Sequence, residues 1–190
     1  MLVAKNFSKN FLHKTLIQQG RRWDIHLHPN QRNLGRSFIC LKKSKFDFFE
    51  LTAFEFDDLK KTVKKLVRAL TVLFKPDLFN YAFLGNKVRR LHLHVVPRYK
   101  TPRKIMGVKF IDKAWGQNYA KAPVKTLNSR KFMQLKEAIR TAVVPFGEDH
   151  LSEVELVNRK LDKIDKEIRV GKTKLLNADR ALGVHSKHVK

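Results

Sequence analysis

The chain has 190 residues, a length that suits one domain of ordinary size plus an appendage. Hydrophobic residues make up 43% of the sequence and include 14 phenylalanines, so a sizeable core is available and wholesale disorder is disfavoured. Lys and Arg total 41 against 17 Asp and Glu, and the formal charge of +24 favours a polyanionic partner, with nucleic acid ahead of acidic lipid. A genome-wide bias towards lysine is the alternative explanation of this charge.

The single cysteine, Cys40, excludes an intrachain disulfide framework and a cysteine-rich zinc site. The sequence contains no run of about 18 apolar residues, so we expect no membrane span.

Residues 1–21 are predicted to form a basic N-terminal arm. The opening 22 residues carry five Lys or Arg and no acidic residue, with Phe7, Phe11, Leu12 and Leu16 between them. This composition resembles an amphipathic organelle transit peptide, while an RNA-docking arm and a surface helix are the alternatives. We expect a cytoplasmic protein. A mitochondrial location is the alternative, which would follow if the arm were a transit peptide.

Two strands follow the arm. In "RRWDIHLHP", apolar and polar residues alternate as in a half-buried strand, which Pro29 ends. The segment "NQRNLG" has the asparagines and glycine of a turn, and "RSFICLKK" reads as a short buried strand.

The clearest helix begins after Thr52. Thr52 and Glu55 have the spacing of a capping box, and Pro76 marks the end of the helix. Its apolar residues recur at helical spacing: Leu59, Val63, Leu66, Leu70 and Leu73. Its basic residues predict a solvated face, with an RNA-binding face as the alternative: Lys60, Lys61, Lys64, Lys65 and Arg68.

The next two strands bring two histidines together. "LFNYAFLG" predicts a strand, which Gly85 and Asn86 turn into the stretch "RRLHLHVVPRY". A strand has period two, so His92 and His94 share one face, about 7 Å apart, and the intervening Leu93 faces the core. A half-buried strand whose polar face simply carries histidine is the alternative reading. Strand, strand, helix, strand, strand is an α+β pattern.

The remainder of the chain is predicted to extend this domain with helices. Residues 100–125 are basic and predicted to be rich in loops. Residues 129–143 have the pattern of an amphipathic helix, and a second helix is predicted to begin near Ser152. We treat residues 119–190 as a C-terminal helical extension with a basic tail.

The pieces "HPNQRNLGR", "NYAFLGN", "LHLHVVPRY" and "AWG", in this order, resemble the histidine-triad (HIT) superfamily, in the branch with "LGR" on its early strand. The resemblance covers residues 22–118, roughly half of the chain. It implies an α+β domain with an antiparallel sheet and a packed amphipathic helix, which binds a nucleotide and attacks its α-phosphate. Nucleotides are therefore the expected ligand, a homodimer is expected because relatives are often dimers, and no cofactor or metal is implied.

The same resemblance assigns roles to individual residues. His92 corresponds to the nucleophile, which forms a nucleotidyl-imidazole intermediate, and neutral imidazole is a good nucleophile near pH 7. His94 corresponds to the last histidine of the triad, which supports the phosphate. Asn86 and the Gly85 backbone would meet phosphate oxygens. His28 falls near the ribose-contacting position, and Phe38 lies on the strand that helps to form the base pocket.

The chain also departs from the family pattern. Arg90 stands where the first histidine of the triad is expected, and a guanidinium cannot shuttle protons although it can bind phosphate. Ser44 stands where the family frequently has histidine. Lys87 lies near the position where some relatives supply a donor for the leaving group.

Two function hypotheses follow from these observations. The first is an enzyme, a HIT-type phosphoric-anhydride hydrolase or a nucleotidyl transferase. The second is a catalytically degenerate HIT domain that binds RNA or a ribonucleoprotein such as a ribosome. A zinc site built from His26, His28, His92 and His94 is disfavoured, because no acidic or cysteine ligand accompanies them.

Overall fold

The computed structural model describes residues 7–86 and 88–143. They form a five-stranded antiparallel sheet, in the order β1-β2-β3-β5-β4, with three helices and a separate two-stranded hairpin. No helix among these residues has the length and apolar character needed to cross a membrane. The elements in chain order are α1 (Lys9–Thr15), β1 (Leu16–Gln18), β2 (Trp23–Leu27), β3 (Ser37–Leu41), α2 (Ala53–Phe74), β4 (Leu78–Phe83), β5 (His92–Arg98), β6 (Arg103–Ile105), β7 (Val108–Phe110) and α3 (Ser129–Val143).

Helix α2 begins at the predicted capping box. The Thr52 hydroxyl accepts a hydrogen bond from the Glu55 amide at 3.3 Å, and the Glu55 carboxylate accepts one from the Thr52 amide at 2.9 Å. Lys45 Nζ lies 2.6 Å from the same carboxylate, which fixes the start of the helix to the preceding loop. The helix ends at Lys75, whose φ of 48° is left-handed, directly before Pro76. The buried side of α2 contacts β2 and β5 of the sheet.

A glycine lets the loop after β2 approach this helix closely. Gly35 has a φ of +77°, and a Cβ at this position would lie 2.9 Å from the Leu70 side chain and 3.1 Å from that of Phe74. The "LGR" segment therefore needs glycine both for its backbone conformation and for its packing on α2.

Strands β3 and β5 lie side by side inside the sheet and set the register of the histidines. Phe38 pairs with His94, and Cys40 pairs with His92. Because β5 also pairs with β4 on its other side, every residue of β5 is buried. Leu93 and Val95 alternate with the histidines and are 6% and 0% exposed. The α+β fold predicted from the sequence is confirmed.

Three features outside the predicted elements complete the fold. β1 lies within the N-terminal arm and pairs with β2, so the arm contributes a strand to the sheet. β6 and β7 form a short hairpin, which the sequence did not predict, within residues 100–125; turns and loops make up most of this segment, as expected. Met106 and Gly107, with φ of 50° and 69°, make its two-residue turn. α3 coincides with the predicted helix over 129–143 and packs against α2 and β1. The helix predicted near Ser152 lies outside the described residues.

Candidate functional site

The two histidines of β5 lie against each other on one face of the sheet. Their ring centroids are 4.8 Å apart, and the residues are 7% and 8% exposed for His92 and His94. The alternation of the strand brings both rings to the same side, as the sequence predicts. The structure therefore places side by side the two residues to which the HIT resemblance assigns catalytic roles.

A backbone carbonyl orients the His92 ring. His92 Nδ1 lies 2.7 Å from the carbonyl oxygen of Arg90. A carbonyl oxygen only accepts hydrogen bonds, so Nδ1 carries the proton and Nε2 carries the free lone pair of the neutral ring. Burial lowers the pKa of His92, against the opposing effect of this hydrogen bond. The arrangement holds His92 as a neutral imidazole with Nε2 available for attack.

His94 has a buried nitrogen without a partner. Its Nδ1 is shielded from solvent and makes no hydrogen bond with the described residues. Burial, followed by the charges of His92 and Arg36, lowers the pKa of His94 to about 3. Buried polar atoms nearly always have a partner, so an orphaned nitrogen beside His92 is a place where a ligand atom would complete the hydrogen bonding.

His28 lies next to His94, with ring centroids 5.7 Å apart. The backbone amide of Asn30 donates to His28 Nδ1 at 3.0 Å, so in the neutral ring the proton is on Nε2. Burial, followed by the charge of Arg36, lowers the pKa of His28 to about 3. The residue predicted to contact ribose thus adds a third neutral imidazole to the group.

A stack of rings lies beside these histidines. The ring of His26 stacks on one side of Phe38 at 4.8 Å, nearly parallel at 8°. The ring of Phe7 also stacks on Phe38, at 5.2 Å and 26°, and Phe11 lies 6.1 Å from it at 21°. Phe38 is consequently only 1% exposed. The N-terminal arm occupies the aromatic surface that the resemblance assigns to the nucleobase.

Phe7 and Phe11 are site residues whose role the sequence analysis missed. It noted both rings as the apolar side of an amphipathic arm, but not their contacts with Phe38. These contacts join residues about 30 positions apart, and helical periodicity within the arm carries no information about such pairs. The usable signal was the presence of two phenylalanines four residues apart, on one face of a helix.

Arg90 is held by the backbone of β3 and of the residue that follows it. Its Nε donates to the carbonyl of Leu41 at 2.8 Å, and its Nη2 donates to the carbonyl of Lys42 at 2.7 Å. These bonds connect the segment before β5 to the end of β3. The role of Arg90 as a phosphate ligand stays a prediction.

The remaining predicted site residues lie in the loop after β4. Gly85, with a φ of +57°, and Asn86 are both exposed. No hydrogen bond among the described residues joins either of them to His92 or His94, so their phosphate contacts stay predictions. Lys87 lies outside the described residues.

Arg98 forms a buried network that positions the segment after β7. Its Nε lies 2.6 Å from Asp112 Oδ2, with the two side chains 4% and 0% exposed. Arg98 also donates to Asn80 Oδ1 and to the backbone carbonyls of Gln117 and Ala114. The "PRY" motif at the end of β5 thus serves the structure by tying β5 to residues 112–117, which include "AWG".

A metal site receives no support from the described residues. Within 7–86 and 88–143, no group of three or more His, Cys, Asp or Glu side chains is arranged to hold a metal ion.

Comparisons with known proteins agree with this fold and motif. Residues 24–101 match the family model described as the HIT domain. A hypothetical histidine triad nucleotide-binding protein from Sulfolobus tokodaii is similar in structure, with a TM-score of 0.56 at 17% identity, over 68% of this chain and 83% of that chain. A histidine triad protein from Bradyrhizobium japonicum has a TM-score of 0.55 at 18% identity, over 74% and 99% of the two chains.

A third solved structure, a histidine triad protein from Marinobacter aquaeolei, has a TM-score of 0.55 at 19% identity, over 82% of this chain and 97% of that chain. A search of curated protein sequences gave no match. At these identities the solved structures establish a shared fold.

Proposed function

We propose that the HIT domain formed by residues 24–101 binds a nucleotide and cleaves it at the α-phosphate, with His92 as the nucleophile. The observation that carries the proposal is the hydrogen bond from His92 Nδ1 to the Arg90 carbonyl, which leaves the Nε2 lone pair free on a neutral ring. The adjacent unpartnered nitrogen of His94 supports it, since a phosphate oxygen would supply the missing partner.

The reaction takes place in two displacements. In the first, the lone pair of His92 Nε2 forms a bond to the α-phosphorus, and the bond from phosphorus to the leaving group breaks with its electron pair. The resulting nucleotidyl-imidazole keeps its proton on Nδ1, where the Arg90 carbonyl stabilises the positive charge that the ring acquires. In the second, water attacks phosphorus and releases a proton to solvent, while the electron pair of the N–P bond returns to Nε2. The product is a nucleoside monophosphate, or a new ester when another hydroxyl replaces water.

The residue type at position 90 affects which leaving group the substrate can carry. Because an arginine does not give up a proton near neutral pH, Arg90 supplies none to the departing atom. A phosphate or pyrophosphate departs as an anion without protonation, whereas an amine or alkoxide needs an acid. We therefore favour a phosphoric anhydride as substrate. Lys87 is the proposed donor for any leaving group that does need a proton.

The Phe7 ring restricts the access of a substrate to His92. It contacts both His92 and Phe38, so a nucleotide that stacks on Phe38 with its α-phosphate at His92 requires this ring to move. The arm therefore affects nucleotide binding. The larger the fraction of molecules in which Phe7 covers His92 and Phe38, the lower the apparent affinity for a nucleotide.

The test is release of nucleoside monophosphate by the full chain from a dinucleoside polyphosphate and, in parallel, from a nucleoside phosphoramidate. We expect release from the polyphosphate, its loss in His92→Ala, and no change in His13→Ala, which removes an exposed histidine from α1. Absence of release from both compounds in a variant that lacks the Phe7 ring would contradict the enzymatic proposal.

Binding to RNA or a ribonucleoprotein is the second candidate function. The observation that favours it is four exposed lysines on α2, which take part in none of the ion pairs found among residues 7–86 and 88–143: Lys60, Lys61, Lys64 and Lys65. Lysines that contact phosphates release counterions, so the affinity for structured RNA should fall by orders of magnitude between about 50 and 200 mM salt.

Replacing these four lysines with glutamine should weaken the salt dependence. The slope of the logarithm of affinity against the logarithm of salt concentration should decrease by about one for each lost contact. Four exposed basic residues outside α2 and the N-terminal arm provide the control of equal charge: Lys43, Lys104, Lys121 and Arg130. An equal loss of RNA affinity in both variants would mean that net charge alone accounts for the binding.

The homodimer implied by the family resemblance is a further proposal, which light scattering of the full chain tests.

A further inference from the structure

A cavity of about 200 Å³ lies away from the histidines, between the loop after β2 and the segment that includes β7 and residues 111–125. Four of its lining residues are cationic, and none is acidic. These cations come from distant parts of the sequence, and the other lining residues are apolar. The cationic residues are Arg32, Lys109, Lys113 and Lys125.

Hydrogen bonds to two backbone carbonyls fix the position of Arg32, and one of its N–H donors has no partner among the described residues. Its Nη1 donates to the carbonyls of Tyr119 and Ala120, at 3.3 and 2.6 Å. Its Nε is buried and has no hydrogen-bond partner among the described residues. A guanidinium whose Nη1 is held by two carbonyls has a fixed orientation, so its positive charge is preorganised for an anionic ligand.

The lysines around this cavity lack a compensating charge. Lys125 Nζ donates to the carbonyl of Lys109 at 2.9 Å and lies 5.1 Å from the centre of the Phe110 ring, so its position is set. Lys109 and Lys113 are exposed, and no ion pair among the described residues involves them. The nearest acid in sequence, Asp112, is 0% exposed and paired with Arg98. Its charge is therefore directed inward and away from the lysines.

From this cluster we propose a second anion site, which takes the terminal diphosphate group of a small molecule. An arginine with flanking lysines is a donor set that suits phosphate oxygens. The cavity has room for such a group, because about 200 Å³ corresponds to several water molecules at roughly 30 Å³ each. No histidine is among the lining residues, so binding of an anion in the cavity does not require His92.

The site has an electrostatic link to the histidine cluster. Arg32, after Arg36 and His94, is one of the charges that lower the pKa of His28. The backbone between His28 and Arg36 is also braced by Gln31, whose side-chain amide donates to the carbonyls of both residues. An anion at Arg32 would partly offset this positive field at His28.

The experiment is calorimetric titration of the full chain with inorganic pyrophosphate. We expect saturable binding to one site, at least tenfold weaker in the double variant Lys109→Ala, Lys113→Ala. The matched control, Lys43→Ala with Lys104→Ala, removes the same charge from exposed positions outside the cavity and should leave the affinity unchanged. His92→Ala should also bind pyrophosphate as the wild type does, so that a failure of the catalytic proposal leaves this one standing.

Three results would overturn the proposal: no saturable binding at millimolar pyrophosphate, equal weakening in the two double variants, or no weakening in either. A competition experiment addresses the source of the phosphate. A nucleoside triphosphate should displace pyrophosphate, whereas an oligoribonucleotide without terminal phosphates should not. Equal displacement by the oligoribonucleotide would mean that the site binds RNA backbone and would contradict the proposal of a small-molecule ligand.

Discussion

The ring of Phe7 lies edge to face on the ring of His92, with centroids 5.2 Å apart and planes at 74°. Phe7 comes from the N-terminal arm, and His92 comes from a central strand of the sheet 85 residues later. The contact covers the atom group that we propose as the nucleophile. If a nucleotide binds as proposed, the arm and the nucleotide compete for the same surface.

Replacing Phe7 with alanine should open the site. Aromatic pairs contribute about 0.5–1.5 kcal/mol, so losing the contacts of this ring with His92 and Phe38 should tighten nucleotide binding by roughly 2- to 10-fold. Fluorescence titration with a labelled nucleoside monophosphate measures the change. Phe49→Ala is the control, because Phe49 is 93% exposed and its ring contacts that of Phe48, away from the histidines. Weaker binding in Phe7→Ala would mean that the ring forms part of the nucleotide site.

The two histidines should differ in how much activity they carry. His92→Ala should abolish turnover because a nucleophile has no substitute. His94→Ala should lower kcat by roughly 10²- to 10³-fold, the usual effect of removing one donor that stabilises developing charge. Steady-state kinetics on the polyphosphate substrate compares the two variants. Unchanged turnover in His92→Ala would exclude the covalent mechanism.

The buried imidazoles should make the fold sensitive to mild acid. Burial lowers the pKa of His26 to about 4 and those of His28 and His94 to about 3, against about 6.5 in an unfolded chain. Below pH 6.5 the unfolded chain therefore binds protons that the folded chain does not. The free energy of unfolding should fall as the pH decreases towards 4, by up to about 1.4 kcal/mol per pH unit for each histidine.

Urea unfolding at about pH 7 and pH 5 measures this effect above the range where carboxylates titrate. His28→Gln should reduce the difference between the two pH values, while the exposed His13→Gln should leave it unchanged. A free energy of unfolding that is equal at both pH values would show that these histidines are accessible to protons in the folded chain.

The Arg98–Asp112 pair should be important for stability. Asp112→Ala leaves a buried guanidinium without its counter-charge, at an expected cost of about 3–5 kcal/mol. Glu137→Ala removes a partner from an ion pair at 3.4 Å whose side chains are about half exposed, and should cost less than about 1 kcal/mol. Chemical denaturation of both variants tests the difference. A small effect of Asp112→Ala would mean that water reaches the pair.

The parts of the fold that could be predicted from the sequence are those set by local patterns. The Thr52–Glu55 capping box, the strand alternation at His92 and His94, and the helical spacing over 129–143 all depend on residues a few positions apart. The hairpin at Met106 and Gly107 was missed although a two-residue turn with glycine is also a local signal. There the surrounding basic residues obscured the short strands.

Contacts between distant segments could not be predicted in this way. Phe7 on His92, Arg98 on Asp112 and Arg90 on the Leu41 carbonyl join residues whose positions depend on the completed sheet. Arg90 illustrates the difference. Its residue type allowed a phosphate ligand, and only the folded chain shows that two of its nitrogens are bound to backbone carbonyls.

The most direct test of the central claim is intact mass spectrometry of the protein during turnover of a nucleotide substrate, with a basic quench that preserves a phosphoramidate. The Phe7→Ala variant, in which the site is open, is the suitable starting protein. We predict an added mass of one nucleotidyl group, which is a nucleoside monophosphate less one water, located on His92 by fragmentation and absent when His92 is also replaced by alanine. Turnover without any adduct, or an adduct that persists after His92 is replaced, would contradict the assignment of His92 as the nucleophile.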